Sequence, residues 1–182
     1  MTRNHLALAD RVYSRTWQDG KYLRRPESHY LDFVVDGAPL RDRFPDSGDL
    51  VTELNRAWLP GVGEAVEVLL GRKPHPRLGP DRVPLLVCGV CGSLDCGVLT
   101  ARLTVTEAEV RWSEWRWVSY ESESDTDTTV VAGGVEPFTF DRTSYDAALN
   151  QSVDRLADMP YDELAHIGKR FLWPWEWGWR LP

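Results

Sequence analysis

Three runs of β-branched and other apolar residues follow one another closely in the middle of the chain. They extend from Val83 to Val90, from Val98 to Val105 and from Val110 to Tyr120. Because the links between them are short, neighbouring strands are expected to pair antiparallel. This spacing predicts a meander sheet, and it constrains the fold more than any other feature of the sequence.

Before the meander, the sequence predicts two further strands and a helix. "HYLDFVVDG" alternates in polarity and ends at Gly37, which is typical of a strand that enters a turn. In "SGDLVTELNRAWLPG" apolar residues recur at helical spacing, and Pro60 is expected to stop that helix. "EAVEVLLG" is predicted to be a strand, and "GRKPHPRLGPDR" a loop rich in proline and glycine.

After the meander, the pattern changes from strands to helices. "EPFTFD" predicts a short strand, and "TSYDAALNQSVDRLAD" predicts a helix capped by Thr143. Pro160 is suited to open a second helix, "PYDELAHIGKRFL", which precedes the Trp-rich tail "WPWEWGWRLP". Strands first and helices late predict an α+β fold, with helices packed on one face of an antiparallel sheet.

Length and charge restrict the class of protein further. With 182 residues, 42% of them apolar, the chain is expected to form a single domain over 1–182. The formal net charge of -7 disfavours nucleic acid or an anionic membrane as the partner and favours a basic protein. No leader-like segment and no run of the ~20 apolar residues that span a bilayer is present in the sequence. With three cysteines crowded into one loop, these features predict a soluble, cytoplasmic protein.

The most specific chemical feature is a loop over residues 85–98 that contains all three cysteines. Cys88 and Cys91 have the two-residue spacing of a zinc knuckle, and Cys96 follows closely enough for one loop to surround a tetrahedral ion. His75 is the nearest histidine upstream and is the predicted fourth ligand of a structural zinc ion. Asp95 inside the loop, and His29 or His166 brought close by the fold, are the alternatives. Two alternatives remain open, namely redox or thiol chemistry and a tight turn built from small buried residues.

The acidic stretch within residues 119–134 is a candidate surface for a partner. Glu121, Glu123, Asp125 and Asp127 occupy every second position, which predicts an exposed edge or loop. Carboxylates in this arrangement would attract a basic partner and speed its association.

Tryptophan is unusually frequent, with nine residues in the chain. Trp115 and Trp117 lie in the third strand of the meander, and four more occupy the tail. Alternate tryptophans on a strand pack one face of a sheet, but tryptophan is also enriched among interface hot spots. Trp115 and Trp117 are therefore candidate partner-binding residues, with packing in the core as the alternative.

Part of the sequence resembles a family of uncharacterised actinobacterial proteins. The resemblance rests on "CGVCGSLDCG", "VLTARLTVTEAEVRW" and "EPFTFDRTSYDAAL", and it covers about residues 83 to 149. Some members of that family carry a loose oxidoreductase label, and the resemblance implies no established activity. A dinucleotide site is not expected, because the sequence has no G-x-G-x-x-G after a strand.

Two hypotheses of function follow from these observations. The favoured one is a non-enzymatic binding protein of the immunity-protein or inhibitor type, with an acidic, Trp-rich surface and a structural zinc knuckle. The absence of G-x-S-x-G, P-loop and H-E-x-x-H motifs supports it. The alternative is a metal-dependent or thiol-based enzyme centred on the three-cysteine loop.

Overall fold

The computed structural model describes residues 3–14, 27–119 and 128–161, which contain two antiparallel sheets and three α-helices joined by turns, loops and short 3₁₀ helices. In chain order the strands are β1 (Leu6–Ser14), β2 (Glu27–Val35), β3 (Ala38–Pro39), β4 (Leu50–Val51), β5 (Arg82–Cys88), β6 (Val98–Val105), β7 (Glu109–Ser119), β8 (Thr128–Val131) and β9 (Phe138–Asp141). The helices are α1 (Leu59–Leu69), α2 (Arg142–Asn150) and α3 (Ser152–Ala157). The α+β class predicted from the sequence is confirmed.

The larger sheet contains the predicted meander. Its order is β4-β5-β6-β7-β8, and β9 also pairs with β7. β7 is long enough to pair with two strands along the same edge. β9 pairs with residues 109–112 of β7, and β8 pairs with residues 116–119. The turn after β6 is closed by the backbone N–H of Thr106, which donates to the carbonyl of Glu109 at 2.9 Å.

The smaller sheet has the order β1-β2-β3. β2 confirms the strand predicted from "HYLDFVVDG", and its turn uses Asp36 and Gly37, which both have positive φ. β1 was not predicted, because much of this edge strand is exposed and its apolar pattern is weak. Leu31, Phe33 and Val35 of β2 are buried, so the central strand of this sheet supplies apolar residues to the core.

The core joins both sheets to α2 around one indole. The ring of Trp112 on β7 is fully buried and packs edge-on against Phe33 at 5.3 Å, Phe140 at 4.9 Å and Tyr145 at 5.9 Å between centroids. Edge-to-face contacts of this kind are favourable because the positive rim of one ring faces the negative face of the next. One side of the meander is thereby covered by β2 and α2.

The helix predicted for "SGDLVTELNRAWLPG" is wrong. β4 lies at the start of this stretch and pairs with the end of β5, so its backbone hydrogen bonds belong to the sheet. Further on, the side chain of Asn55 accepts a hydrogen bond from the backbone N–H of Ala57 at 2.9 Å and caps a short 3₁₀ turn. Pro60 lies in the first turn of α1, where its missing N–H costs nothing, so it opens a helix instead of ending one.

The strand predicted for "EAVEVLLG" is also wrong, because this stretch belongs to α1. Val62, Val66 and Leu69 of α1 are buried at helical spacing, while the intervening Gly63 and Glu64 are exposed. A short apolar run fits both the helical period of 3.6 residues and the strand period of 2. Which of the two structures it forms depends on the segments that pack against it.

The helix predicted for "TSYDAALNQSVDRLAD" is present but divided at Gln151 into α2 and α3. Asp141 caps α2 in place of the predicted Thr143, and its carboxylate accepts a hydrogen bond from the backbone N–H of Ser144 at 3.0 Å. Most of the second predicted helix and the whole Trp-rich tail fall on 162–182, outside the described residues. Within the described part of the chain, no helix is long and apolar enough to cross a membrane.

Candidate metal centre

The three cysteines lie on the loop that connects β5 to β6. Cys88 is the last residue of β5, and the carbonyl of Cys88 accepts a hydrogen bond from the backbone N–H of Gly92 at 2.9 Å. Cys96 ends a 3₁₀ turn that begins after Ser93, whose hydroxyl accepts from the N–H of Asp95 at 3.2 Å. These local bonds bend the loop back on itself, so that Cys88, Cys91 and Cys96 lie on the same side of it.

The sulfur atoms form a compact group. All three Sγ atoms lie within 4.8 Å of one another, and those of Cys91 and Cys96 are 3.6 Å apart. Zn–S bonds of 2.3 Å in a tetrahedron place neighbouring sulfurs about 3.8 Å apart, so the group already has nearly the required size. The three cysteines are free thiols, part-buried at Cys88 and Cys91 and exposed at Cys96.

Two of the glycines that follow the cysteines are required by close packing. A Cβ on Gly89 would lie 2.7 Å from the backbone oxygen of Asp49 and 2.9 Å from the ring of Tyr13. Gly92 has φ +66, and a Cβ there would lie 3.2 Å from the indole of Trp58. The glycines thus let the loop pack closely against Tyr13 of β1, Asp49 before β4 and Trp58 before α1, which fixes the position of the thiols.

Backbone N–H groups surround the first two sulfurs. The N–H of Ser93 donates to Sγ of Cys91 at 3.4 Å. Burial by itself would raise the pKa of Cys88, but hydrogen bonds from the N–H groups of Cys91 and Val90 bring that pKa below its ordinary value. Such donors favour a thiolate, which is the form that binds a metal.

The third thiol is held in its protonated form by the other two. The hydrogen bond with Cys91, burial and the negative charge of Cys88 raise the pKa of Cys96 to about 12. Neighbouring thiols cannot all ionise without a cation, because each new negative charge repels the last. A bound divalent ion would remove this obstacle and release the protons.

The predicted fourth ligand, His75, is not part of this group. The group of ligand atoms within 4.8 Å comprises the three cysteines and no other described histidine, aspartate or glutamate. The Nδ1 atom of His75 accepts hydrogen bonds from the backbone N–H groups of Arg77 and Leu78, both at 3.2 Å. Burial lowers the pKa of His75, which helps to keep this acceptor nitrogen unprotonated.

The turn that carries His75 nevertheless lies against the cysteine loop. The guanidinium of Arg77 contacts a carboxylate oxygen of Asp95 at 2.6 Å, and Leu78 packs on a small cluster that includes Leu94. Arg77 lowers the pKa of Asp95, which stays a bridge between the two loops and is not a metal ligand in this geometry. The Pro/Gly-rich loop therefore supports the site from outside without entering it.

The predicted partner surface is only partly within the described residues. Glu121, Glu123, Asp125 and Asp127 fall outside them, so their role stays a prediction. Trp115 is 3% exposed and its indole N–H donates to the carbonyl of Val135 at 3.0 Å, which corrects its assignment as a partner-binding residue.

Trp117 is part-buried and packs against the main core. Its ring lies 6.3 Å from that of Phe44, edge-on. The packing alternative therefore describes both of these tryptophans better than a binding surface, although Trp117 keeps some exposure.

Sequence reasoning missed a pocket beside the cysteines. A space of about 150 Å³ is lined by Glu53, Trp58, Gly61, Ala65, Cys91 and Gly92. Burial raises the pKa of Glu53 to about 7. No sequence signal marks this residue, because the stretch around it has a helical pattern and the pocket forms only where residues 53–65 meet the distant Cys91 and Gly92.

The fold and this site define an α+β protein with a three-thiol candidate metal centre. Comparison with known proteins identifies no relative: no family model, no curated protein and no solved structure matches the chain.

Proposed function

We propose that this protein binds one zinc ion through the thiolates of Cys88, Cys91 and Cys96, with a fourth coordination position left open. The observation that carries the proposal is the clustering of three free Sγ atoms within 4.8 Å on a loop bent by local hydrogen bonds. Thiolates select soft or borderline ions such as Zn²⁺, and tetrahedral coordination fits the sulfur separations.

Three protein ligands with an open position are typical of metal-dependent enzymes, whereas structural zinc sites are closed by four. The described residues offer three ligand atoms and a neighbouring pocket with a carboxyl group. These features support the hypothesis of a metal-dependent enzyme centred on the cysteine loop. The alternative of a non-enzymatic binding module depends on the acidic stretch, and it stays a prediction.

Metal analysis of the purified protein tests the site. We expect about one zinc ion per chain after growth with added zinc, and loss of the metal in Cys91→Ser. Glu107→Gln is the matched control, because it alters an exposed carboxyl in the turn between β6 and β7 and leaves the cysteine loop unchanged. Protein that holds no zinc, iron or copper after growth and after reconstitution would refute the proposal.

A second variant tests the open position. His75→Ala should retain zinc, because His75 is not among the clustered ligands. X-ray absorption of the zinc-loaded protein should show three sulfur ligands and one light atom in both the parent and this variant. Loss of zinc in His75→Ala would instead indicate a closed site with four protein ligands.

A further inference from the structure

The pocket beside the cysteine loop adjoins the sulfur group and shares Cys91 with it. Its walls come from the segment after β4, from the start of α1 and from the loop itself, which contributes Cys91 and Gly92. At about 150 Å³ it has room for roughly five water molecules or a ligand of similar size. Because Cys91 both lines this pocket and carries one of the three thiols, a metal ion on the thiols would lie next to the pocket.

Glu53 supplies the carboxyl group of the pocket. This side chain is part-buried, and none of the described residues donates a hydrogen bond or forms an ion pair with its carboxyl oxygens. The carboxyl oxygens of Glu53 are not among the fully buried polar atoms that lack a partner, so they are accessible from the pocket and can accept a hydrogen bond from a ligand there. Burial is the sole cause of the raised pKa of Glu53.

Trp58 supplies a flat apolar wall. Its indole is part-buried and lies so close to Gly92 that a side chain at Gly92 would meet the ring atoms at 3.2 to 3.3 Å. The indole is therefore held in place by the loop that carries the thiols. A planar ligand in the pocket would lie against a rigid aromatic surface.

We propose that this pocket binds a small planar nitrogen heterocycle, which coordinates the metal through one ring nitrogen and donates its N–H to Glu53. The proposal rests on the metal site proposed above, since it uses the open coordination position. The charges favour a neutral ligand, because three thiolates and one Zn²⁺ carry a net charge of about -1 and Glu53 adds a further negative charge when ionised. An imidazole ring has five non-hydrogen atoms, which suits the size of the pocket.

Substitution with Co²⁺ makes both metal binding and ligand binding visible by absorption spectroscopy. Co²⁺ on three thiolates gives sulfur-to-metal charge-transfer bands, and entry of a nitrogen ligand shifts the visible bands of the ion. We expect imidazole to shift these bands saturably at pH 8, where Glu53 is ionised. The comparison probe is 1-methylimidazole, which has the same metal-binding nitrogen and lacks the N–H.

A preference for imidazole over 1-methylimidazole tests whether Glu53 accepts a hydrogen bond from the N–H of the ligand. We expect the parent protein to bind imidazole about fivefold more tightly than 1-methylimidazole, after correction for their intrinsic affinities for Co²⁺. In Glu53→Leu this preference should disappear, while Glu64→Gln, which alters an exposed carboxyl on α1, should keep it. If Glu53→Leu does not fold, Glu53→Gln should reduce the preference, because a neutral acceptor binds the N–H more weakly.

The outcomes separate this inference from the metal site. Charge-transfer bands without any response to imidazole would overturn the ligand proposal and leave the metal site standing. Equal preference in the parent and the Glu53 variants would overturn the assignment of Glu53. Failure of the protein to bind Co²⁺ or Zn²⁺ would overturn both proposals, since the ligand needs the metal.

Discussion

The hydroxyl of Tyr145 accepts a hydrogen bond from the indole N–H of Trp112 at 3.1 Å and donates one to the carbonyl of Leu69 at 2.9 Å. Tyr145 thus connects three elements, because Trp112 lies on β7, Leu69 ends α1 and Tyr145 itself is on α2. All of these residues are buried. The bond to Leu69 also satisfies one of the carbonyls that a helix leaves without a partner at its C-terminus.

Removing this hydroxyl should destabilise the fold. We expect Tyr145→Phe to lower the free energy of unfolding by about 1 to 3 kcal/mol, because it leaves a buried donor and a buried acceptor without their partner. Urea unfolding followed by tryptophan fluorescence measures the change. Tyr161→Phe is the matched control, since Tyr161 is 46% exposed and water can replace bonds of its hydroxyl. Equal stability of the two variants would contradict this assignment.

Glu53 should make the protein less stable as pH rises. Its pKa is about 7 in the folded chain against an ordinary value of 4.5, so the folded state binds the proton more tightly than the unfolded state. The free energy of unfolding therefore falls between about pH 4.5 and pH 7 and is constant above, as far as this group is concerned. We expect Glu53→Gln to remove this loss and to gain about 1 to 3 kcal/mol at pH 8 relative to the parent.

The measurement is chemical unfolding of the metal-free protein at pH 4 and pH 8. Glu64→Gln serves as the control, because Glu64 is an exposed carboxyl on the neighbouring helix. A gain in Glu53→Gln that is the same at both pH values would show that titration of Glu53 is not the cause.

The acidic stretch remains the predicted surface for a basic partner. Replacing Glu121, Glu123, Asp125 and Asp127 by their amides should leave the fold intact, slow association and flatten its dependence on salt. Stopped-flow or surface-based kinetics with a verified partner measures the rate. An association rate that does not change would exclude these carboxylates from the interface.

The Trp-rich tail is predicted to cover apolar surface of the domain. If the segment is extended, four tryptophans at every second position lie on one side, and such a surface is unfavourable in water. Truncation after Leu172 should therefore lower the melting temperature sharply and cause aggregation. A truncated chain that remains soluble and equally stable but loses a partner would place the tail in a binding site instead.

Local sequence patterns predicted the elements whose pattern is long and regular. The run from Val98 to Val105 is a strand with those same ends, because its neighbours in sequence are also its partners in the sheet. The stretch from Asp49 to Leu69 was predicted with strand and helix exchanged. There, β4 pairs with the distant β5, and Val62 and Val66 are buried against other segments. Periodicity in the sequence does not contain information about such long-range contacts.

At the candidate site too, local sequence patterns predict some features and contacts between distant segments decide others. The spacing of Cys88, Cys91 and Cys96 favours thiols that meet, with a tight turn of small residues as an alternative, and in the structure one loop with local hydrogen bonds brings them together. The position of His75 outside the group depends on how its turn packs against that loop.

The sequence by itself determined the meander, the α+β class and the three-thiol group, because each follows from interactions between residues close along the chain. The tertiary structure alone decided that Trp115 is a core residue and that Glu53 faces a pocket next to Cys91. The physical reason is that burial and pocket geometry arise when segments distant in sequence pack together. The environment of a side chain, and with it the chemistry that the side chain can perform, is fixed only at that stage.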